Sequence, residues 1–217
     1  MPIDSTPVHV TVLQPANRPR AIGIVGHRAW GPLAVRYRRG LPVTSPERTW
    51  TDLAAFGVDE RTLIVLADHL LRRKRPLSDV AALASATLAL GNRRGSRAAR
   101  HALELARPGT DSPRETIVRL ELIDAGLPEP TIGHRIIHRG EYVGVPDLAY
   151  PNLRIAIEYE GSDHQEDRGT YLSDIERREA FARAGWTVIL VTKEHLQGPA
   201  DLWIRRVRVA RAEAALL

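Results

Sequence analysis

The chain has 217 residues, 43% of them hydrophobic and 26% charged, enough for one good core or a small domain beside a medium one. It contains no cysteine, which excludes disulfides and thiolate metal sites, and no apolar run approaches the roughly 18 residues that a membrane span needs. The formal net charge is +5 and the pI about 10.0, a balance that favours an anionic partner.

The first residues, MPIDSTPVHV, show neither a positive n-region nor an apolar h-region, so the expectation is a cytoplasmic protein without a signal peptide and without a membrane partner. VHVTVLQ (8–14) alternates valines with polar residues, the period of a half-buried strand, and 21–28 and 33–44 continue as strands between Pro and Gly turns. Ser45 and Pro46 then open a helix that Gly57 ends. Helices are expected over 59–73, 77–90 and 96–106, and RPGTDSP (107–113) has the composition of a linker. Residues 1–107 are therefore read as a smaller N-terminal strand-then-helix domain and 108–217 as a second unit.

The pattern restarts with SPRETIVRLELIDAG, a helix capped by Ser112, with Pro113 in its first turn and Gly126 at its stop. Strands are expected over 131–138, 142–150 and 153–161, then a helix over 170–185, a strand over 186–192 and a basic amphipathic helix at the end. The fold class is α/β (α+β), its second unit running helix, three strands, helix, strand, helix. Nearly all the positive charge is arginine, Lys74 and Lys193 being the only lysines. It falls in three clusters: Arg72, Arg73, Lys74 and Arg75; Arg93, Arg94, Arg97 and Arg100; Arg205, Arg206, Arg208 and Arg211. Arginine suits phosphate, because its planar fork donates two hydrogen bonds at once, although each cluster also reads as a solvated helix end.

The stretch PDLAYPNLRIAIEYEGSDH (146–164) sets carboxylates among apolar residues, where an unpaired charge is costly. Strand alternation puts Glu158 and Glu160 on one face. A two-residue turn at Pro151 and Asn152 would place Asp147 opposite Ala156, on that same face, and a one-residue change in the turn would reverse this. Three converging carboxylates would be relieved by a hard divalent cation such as Mg²⁺, with Mn²⁺ as a substitute. Glu115 reads equally as the N3 member of a capping box with Ser112 and as a fourth acid at the rim of the apolar face that carries Val118 and Leu122.

From about 112 to 198, these pieces resemble the PD-(D/E)xK nuclease superfamily, and within it the very-short-patch-repair-like endonuclease domains of actinobacterial type. The likeness is carried by SPRETIVRLELIDAGLPEP, VPDLAYPNLRIAIEYEGSDH and YLSDIERREAFARAGWTVILVT and by their order. It implies a restriction-endonuclease-like core and metal-dependent hydrolysis of DNA. Asp147 would be the first acid, Glu158 the second, and Glu115 the acid on the opening helix. Glu160 stands where the superfamily motif has lysine. The lost positive charge leaves three substitutes open: His164 as general base, Lys193 reaching across from the next strand, or Glu160 acting itself. His164 also reads as a surface histidine. The resemblance further implies that Asp174 supports His164 and that Arg177 and Arg178 face phosphate, whereas Asp174 with Arg178 also makes an ordinary i,i+4 helix pair.

GLPVTSPERTWTDLAA (40–55) is similar to segments found upstream of such domains and in antitoxins of the abortive-infection type. His27, Arg28, Trp30, Tyr37, Arg38 and Arg39 are candidates for nucleic-acid contact, and Trp30 and Trp50 for packing. The N-terminal part is also a candidate surface for a homodimer or a protein partner. The expected function is a Mg²⁺-dependent DNA endonuclease; its rival is a nuclease-like protein that binds DNA or regulates without cutting, in a defence or toxin–antitoxin setting. A carboxylate-pair glycosidase fits poorly with a basic chain whose acids are stacked on one strand.

Overall fold

A computed structural model describes residues 7–29, 33–160, 168–198 and 201–216, with side chains described for the same residues except 168–175 and 201. The fold is mixed α and β. Strands β1 (Val8–Leu13) and β2 (Ile24–Ala29) pair in parallel, and β3 (Val35–Arg38) and β4 (Leu41–Thr44) form a hairpin. Arg39 and Gly40 turn that hairpin with φ of 49° and 78°, the doubly positive geometry that matches strand twist.

Helices α1 (Pro46–Phe56), α2 (Glu60–Leu70), α3 (Val80–Ala89) and α4 (Ser96–Leu105) follow. Their starts are local chemistry: Ser45, Asp59 and Asp79 each accept a backbone N–H two or three residues into the helix, satisfying donors the helix leaves open. Their apolar faces meet around Trp50, Leu63, Ala67, Leu83 and Ala99. Trp50 is buried, its Nε1 donating to the Leu63 carbonyl at 2.9 Å. Trp30, the other packing candidate, lies outside the described residues.

The connector at 107–112 is anchored from the helical side. The Arg107 N–H donates to Asp68 at 2.6 Å, the Gly109 N–H to the Leu71 carbonyl at 3.3 Å, and Arg73 grips Asp111. Helix α5 (Pro113–Asp124) then serves two cores. Leu120 joins the helical cluster, while Val118 and Leu122 join the core of the sheet.

That sheet holds β5 (Thr131–Ile132), β8 (Leu148–Tyr150), β9 (Ile155–Glu160) and β10 (Thr187–Thr192) in the order β10-β9-β8-β5. The β9–β10 pairing is parallel and the other two are antiparallel. Strands β6 (Ile136–His138) and β7 (Glu141–Gly144) form a separate hairpin. The strands expected over 131–138 and 142–150 are thus each divided. Gly133, at φ 67°, turns the first, and Pro146, which has no N–H to give a ladder, interrupts the second.

One face of the sheet packs Ile155, Ile157, Ile189 and Val191 against α5 and against Trp203, Ile204 and Val207 of α8 (Asp201–Ala214). On the other face, Ala156 meets Phe181 and Ala184 of α6 (Arg168–Arg183), together with Ile136. Gly144 allows this approach, since a Cβ there would stand 2.9 Å from the Phe181 ring. A short helix that the sequence pattern does not announce, α7 (Lys193–Gln197), follows β10. Among the described residues no helix is long and apolar enough to cross a membrane.

Candidate active site

The acid-bearing face survives a change of register. Leu148 pairs with Ile157, Ala149 with Ala156 and Tyr150 with Ile155, which sets Asp147 against Glu158 and not against Ala156. The expected two-residue turn is replaced by a 3-10 turn over Pro151–Leu153 followed by Arg154 at φ 49°. The connection gains two residues, and an even change preserves which side chains share a face. Asp147, Glu158 and Glu160 therefore still lie on one side.

Asp147 and Glu158 hold each other's strands. The Asp147 Oδ2 accepts the Tyr159 N–H at 2.8 Å, and the Asp147 N–H donates to Glu158 Oε1 at 3.3 Å. Burial pushes the half-buried Asp147 carboxyl up from the ordinary range. The Tyr159 N–H, then Arg177 and Arg73, oppose that shift, and the Asp111 charge adds to it. Glu158 is only 3% exposed, and Arg177 Nη2 donates to its Oε2 at 2.6 Å. Arg178 Nη2 reaches Glu160 Oε1 at a longer 3.4 Å.

Glu115 comes to the same place from α5. Ser112 Oγ caps the Glu115 N–H at 3.2 Å, as expected, but the returning half of the capping box is displaced: Glu115 Oε2 accepts the Asp111 N–H at 2.8 Å. The side chain is buried, and burial followed by the charge of Asp147 pushes its carboxyl up to about 7. Asp147 and Glu158 thus meet at one end of β8, Glu115 lies within reach of the charge of Asp147, and Glu160 follows two residues after Glu158 along β9.

The remaining candidates divide. Arg177 and Arg178 meet the acids directly. Lys193 opens α7, exposed, immediately after Thr192, the residue paired with Glu160. His164 lies outside the described residues, and Asp174 falls in α6 where side chains are not described. Asp111 and Arg73 were not anticipated. Arg73 Nε donates to Asp111 Oδ2 at 3.1 Å, the Lys74 N–H donates to Asp111 Oδ1 at 3.3 Å, and the Lys74 ammonium stands 3.7 Å from Asp111 Oδ2. The basic run at the end of α2 therefore flanks the acids. Its sequence signal was the cluster itself; its location depends on how the two halves pack.

A second charged group was missed altogether. Arg119, fully buried, donates to Asp68 Oδ2 and to Glu129 Oε1, each at 2.8 Å, and Thr116 Oγ1 donates to the same Asp68 oxygen at 3.0 Å. It joins the helical unit to α5.

No family model matches the chain, and no solved structure matches it. Two proteins of Mycobacterium tuberculosis are similar to it: Uncharacterized protein MT2308 of strain CDC 1551 / Oshkosh and Uncharacterized protein Rv2248 of strain ATCC 25618 / H37Rv. Each is 29% identical over 203 residues, which is 93% of this chain and 73% of the relative. So long a match takes in both halves.

Proposed function

We propose that the C-terminal half is a metal-dependent endonuclease with a restriction-endonuclease-like core, cutting DNA phosphodiester bonds at the acids of β8 and β9. The observation that carries this reading is the crowding of Glu115 with Asp147. Burial pushes both carboxyls up, and the charge of Asp147, carried on a separate element, pushes Glu115 up further. Arg177 and Arg73 act on Asp147, but the charges that act on Glu115 are those of Asp147 and Asp111, whereas Asp68 has Arg119 beside it.

The donor set fits a hard cation. Among the described residues no group of three or more acidic, His or Cys side chains forms a ready cage, but Mg²⁺ is commonly held by one or two carboxylates, its other positions going to water and substrate phosphate. Glu115 and Asp147 would hold it. When bound, such an ion supplies positive charge against the developing charge of the phosphodiester and lowers the pKa of water. Glu158, fixed between the Asp147 N–H and Arg177, keeps β8 and β9 in register beside the acids. Arg73, tied to Asp111, supplies a cation for the substrate phosphate from outside the motif, on the side of the helical unit. The proton-accepting role goes to His164; the alternatives for the missing lysine are Lys193, reaching across to supply its positive charge, and Glu160, binding the metal or a metal-bound water.

The rival reading, a nuclease-like protein that binds DNA without cutting, has its own support. Arg177 already neutralises Glu158, and Glu160 occupies the motif's lysine position. Incubation with supercoiled, single-stranded and mismatched DNA in Mg²⁺, Mn²⁺ or EDTA separates the two. Cutting that needs the metal and falls to background in Asp147→Asn, with DNA affinity kept, is the expected outcome. Equal cutting by Asp147→Asn overturns the site. A wild type that binds DNA but cuts no substrate with either metal establishes the rival.

A further inference from the structure

A cleft of about 710 Å³ lies in the N-terminal half, between β2, α1, α3 and the turn that follows α3. Five arginines line it, Arg18, Arg28, Arg48, Arg93 and Arg94, against two carboxylates, Glu47 and Asp52. Arg48 is paired with Asp52 at 2.8 Å, and Glu47 takes Arg36 at 3.4 Å. Arg28 donates to the Asn17 amide oxygen and Arg93 to the carbonyls of Ala89 and Leu90. Among the described residues, Arg18, Arg28, Arg93 and Arg94 have no carboxylate partner, and all four are exposed. Like charges gathered in a concave wall raise one another's energy and concentrate an anion there.

The same cleft offers flat surfaces. His27 stacks on Phe56 with ring centroids 4.4 Å apart, and His9 stacks on His27 at 5.0 Å while sharing a 2.9 Å hydrogen bond with it. Burial, then the charge of His9, hold the His27 imidazole below its usual range, with Asp52 opposing and Arg18 adding. At neutral pH it therefore stacks as an uncharged ring. Ala82, Ala86 and Ala89 of α3 leave the opposite wall low. Guanidinium groups beside stacked rings are the combination that binds single-stranded nucleic acid, cations on the phosphates and rings under the bases.

We propose that this cleft is a second nucleic-acid site, which binds a short single-stranded segment with phosphates on Arg18, Arg28, Arg93 and Arg94 and a base against the His27–Phe56 stack. The site stands apart from the acids and does not depend on whether they cut. An acidic peptide could meet the arginines but would leave the ring stack unused.

The test is fluorescence anisotropy of a labelled oligothymidylate against wild type, Arg28→Ala/Arg94→Ala, Phe56→Ala and a control, Arg205→Ala/Arg206→Ala on α8. Loss of two phosphate contacts should weaken binding by about tenfold or more and reduce the slope of log affinity against log salt by about 1.4. The α8 control should lose less than the cleft variant. Circular dichroism melts confirm that the variants fold; if Arg28→Ala/Arg94→Ala does not, Arg28→Gln/Arg94→Gln replaces it. Equal losses in the cleft and α8 variants, or no binding of the oligonucleotide by wild type at low salt, overturn the proposal. So does the case in which ADP binds with the same arginine dependence while the strand does not.

Discussion

Two buried clusters of charge meet on the first two turns of α5, and they are built on opposite principles. On the helical side, Asp68 is fully buried but meets Arg119, Thr116 and the Arg107 N–H, so that each lone pair facing the protein has a donor. On the sheet side, Glu115 is nearly as buried and faces another carboxylate, Asp147. The first arrangement joins two halves of a molecule. The second sets like charges near one another, offset only in part by Arg177 and Arg73, a kind of arrangement that clusters at functional sites.

The comparison is broken most severely by removing Arg119. Arg119→Ala leaves the buried Asp68 ionised without its guanidinium or forces it to take a proton, while Glu129 keeps Arg107. The expected loss is about 3–5 kcal/mol, the usual result of deleting one partner of a buried pair, read as a fall in the denaturation midpoint. Asp68→Leu/Arg119→Leu should lose markedly less, because no charge is left unpaired. Equal losses in the single and double variants would show that packing, not charge, is what Arg119 supplies.

The sheet side should respond with the opposite sign. The folded pKa of Glu115, about 7, exceeds its ordinary value, so the stability carried by the protonated form is present below the unfolded pKa and lost as pH rises through about 7. Each pH unit between the unfolded and folded values is worth about 1.4 kcal/mol, so the loss between acid and pH 8 is about 3 kcal/mol. Glu115→Gln keeps an acceptor for the Asp111 N–H and discards the charge. It should be more stable than wild type at pH 8 and nearly equal at pH 4.5, as followed by urea melts across pH. Asp147 contributes to the wild-type slope in the same direction, so part of the slope should persist in Glu115→Gln. A variant no more stable than wild type at pH 8 would remove the crowding on which the metal reading stands.

Much of this was legible in the chain because it is local. Ser45 and Ser112 cap, Gly57 and Gly126 stop, and the apolar period places α1 to α5. The shared face of Asp147, Glu158 and Glu160 was legible for a subtler reason: the turn at Pro151 grew by two residues, and parity is indifferent to an even change. What could not be seen was set by packing between distant segments. Nothing near Arg119 announces Asp68, 51 residues away. Nothing near Arg73 announces Asp111 and the acids beyond it. The parallel pairing of β1 with β2 is likewise a tertiary result, since alternation marks strands but does not choose their partners.

The smallest expected effect sharpens the comparison most cleanly, because distance is held constant. Arg48 and Asp52 on α1 stand 2.8 Å apart, the same separation as Arg119 and Asp68. The chemistry is identical and the surroundings are not: the Arg48 and Asp52 side chains are 25% and 22% exposed, those of Arg119 and Asp68 both 0%. At the first pair water screens the attraction and competes for each donor, so a double-mutant cycle through Arg48→Ala and Asp52→Ala should give a coupling of about 0.3–0.5 kcal/mol, the usual figure for an i,i+4 helix pair. At the second pair the same cycle through Arg119→Ala and Asp68→Ala should give several times as much, since the single variants each leave a buried charge and the double variant leaves none. Raising salt should erase most of the first coupling and little of the second, because screening acts on exposed pairs and hardly reaches buried ones. Equal couplings at the two sites, or equal sensitivity to salt, would mean that burial does not distinguish them, and the contrast drawn between the two charge clusters on α5 would lose its physical basis.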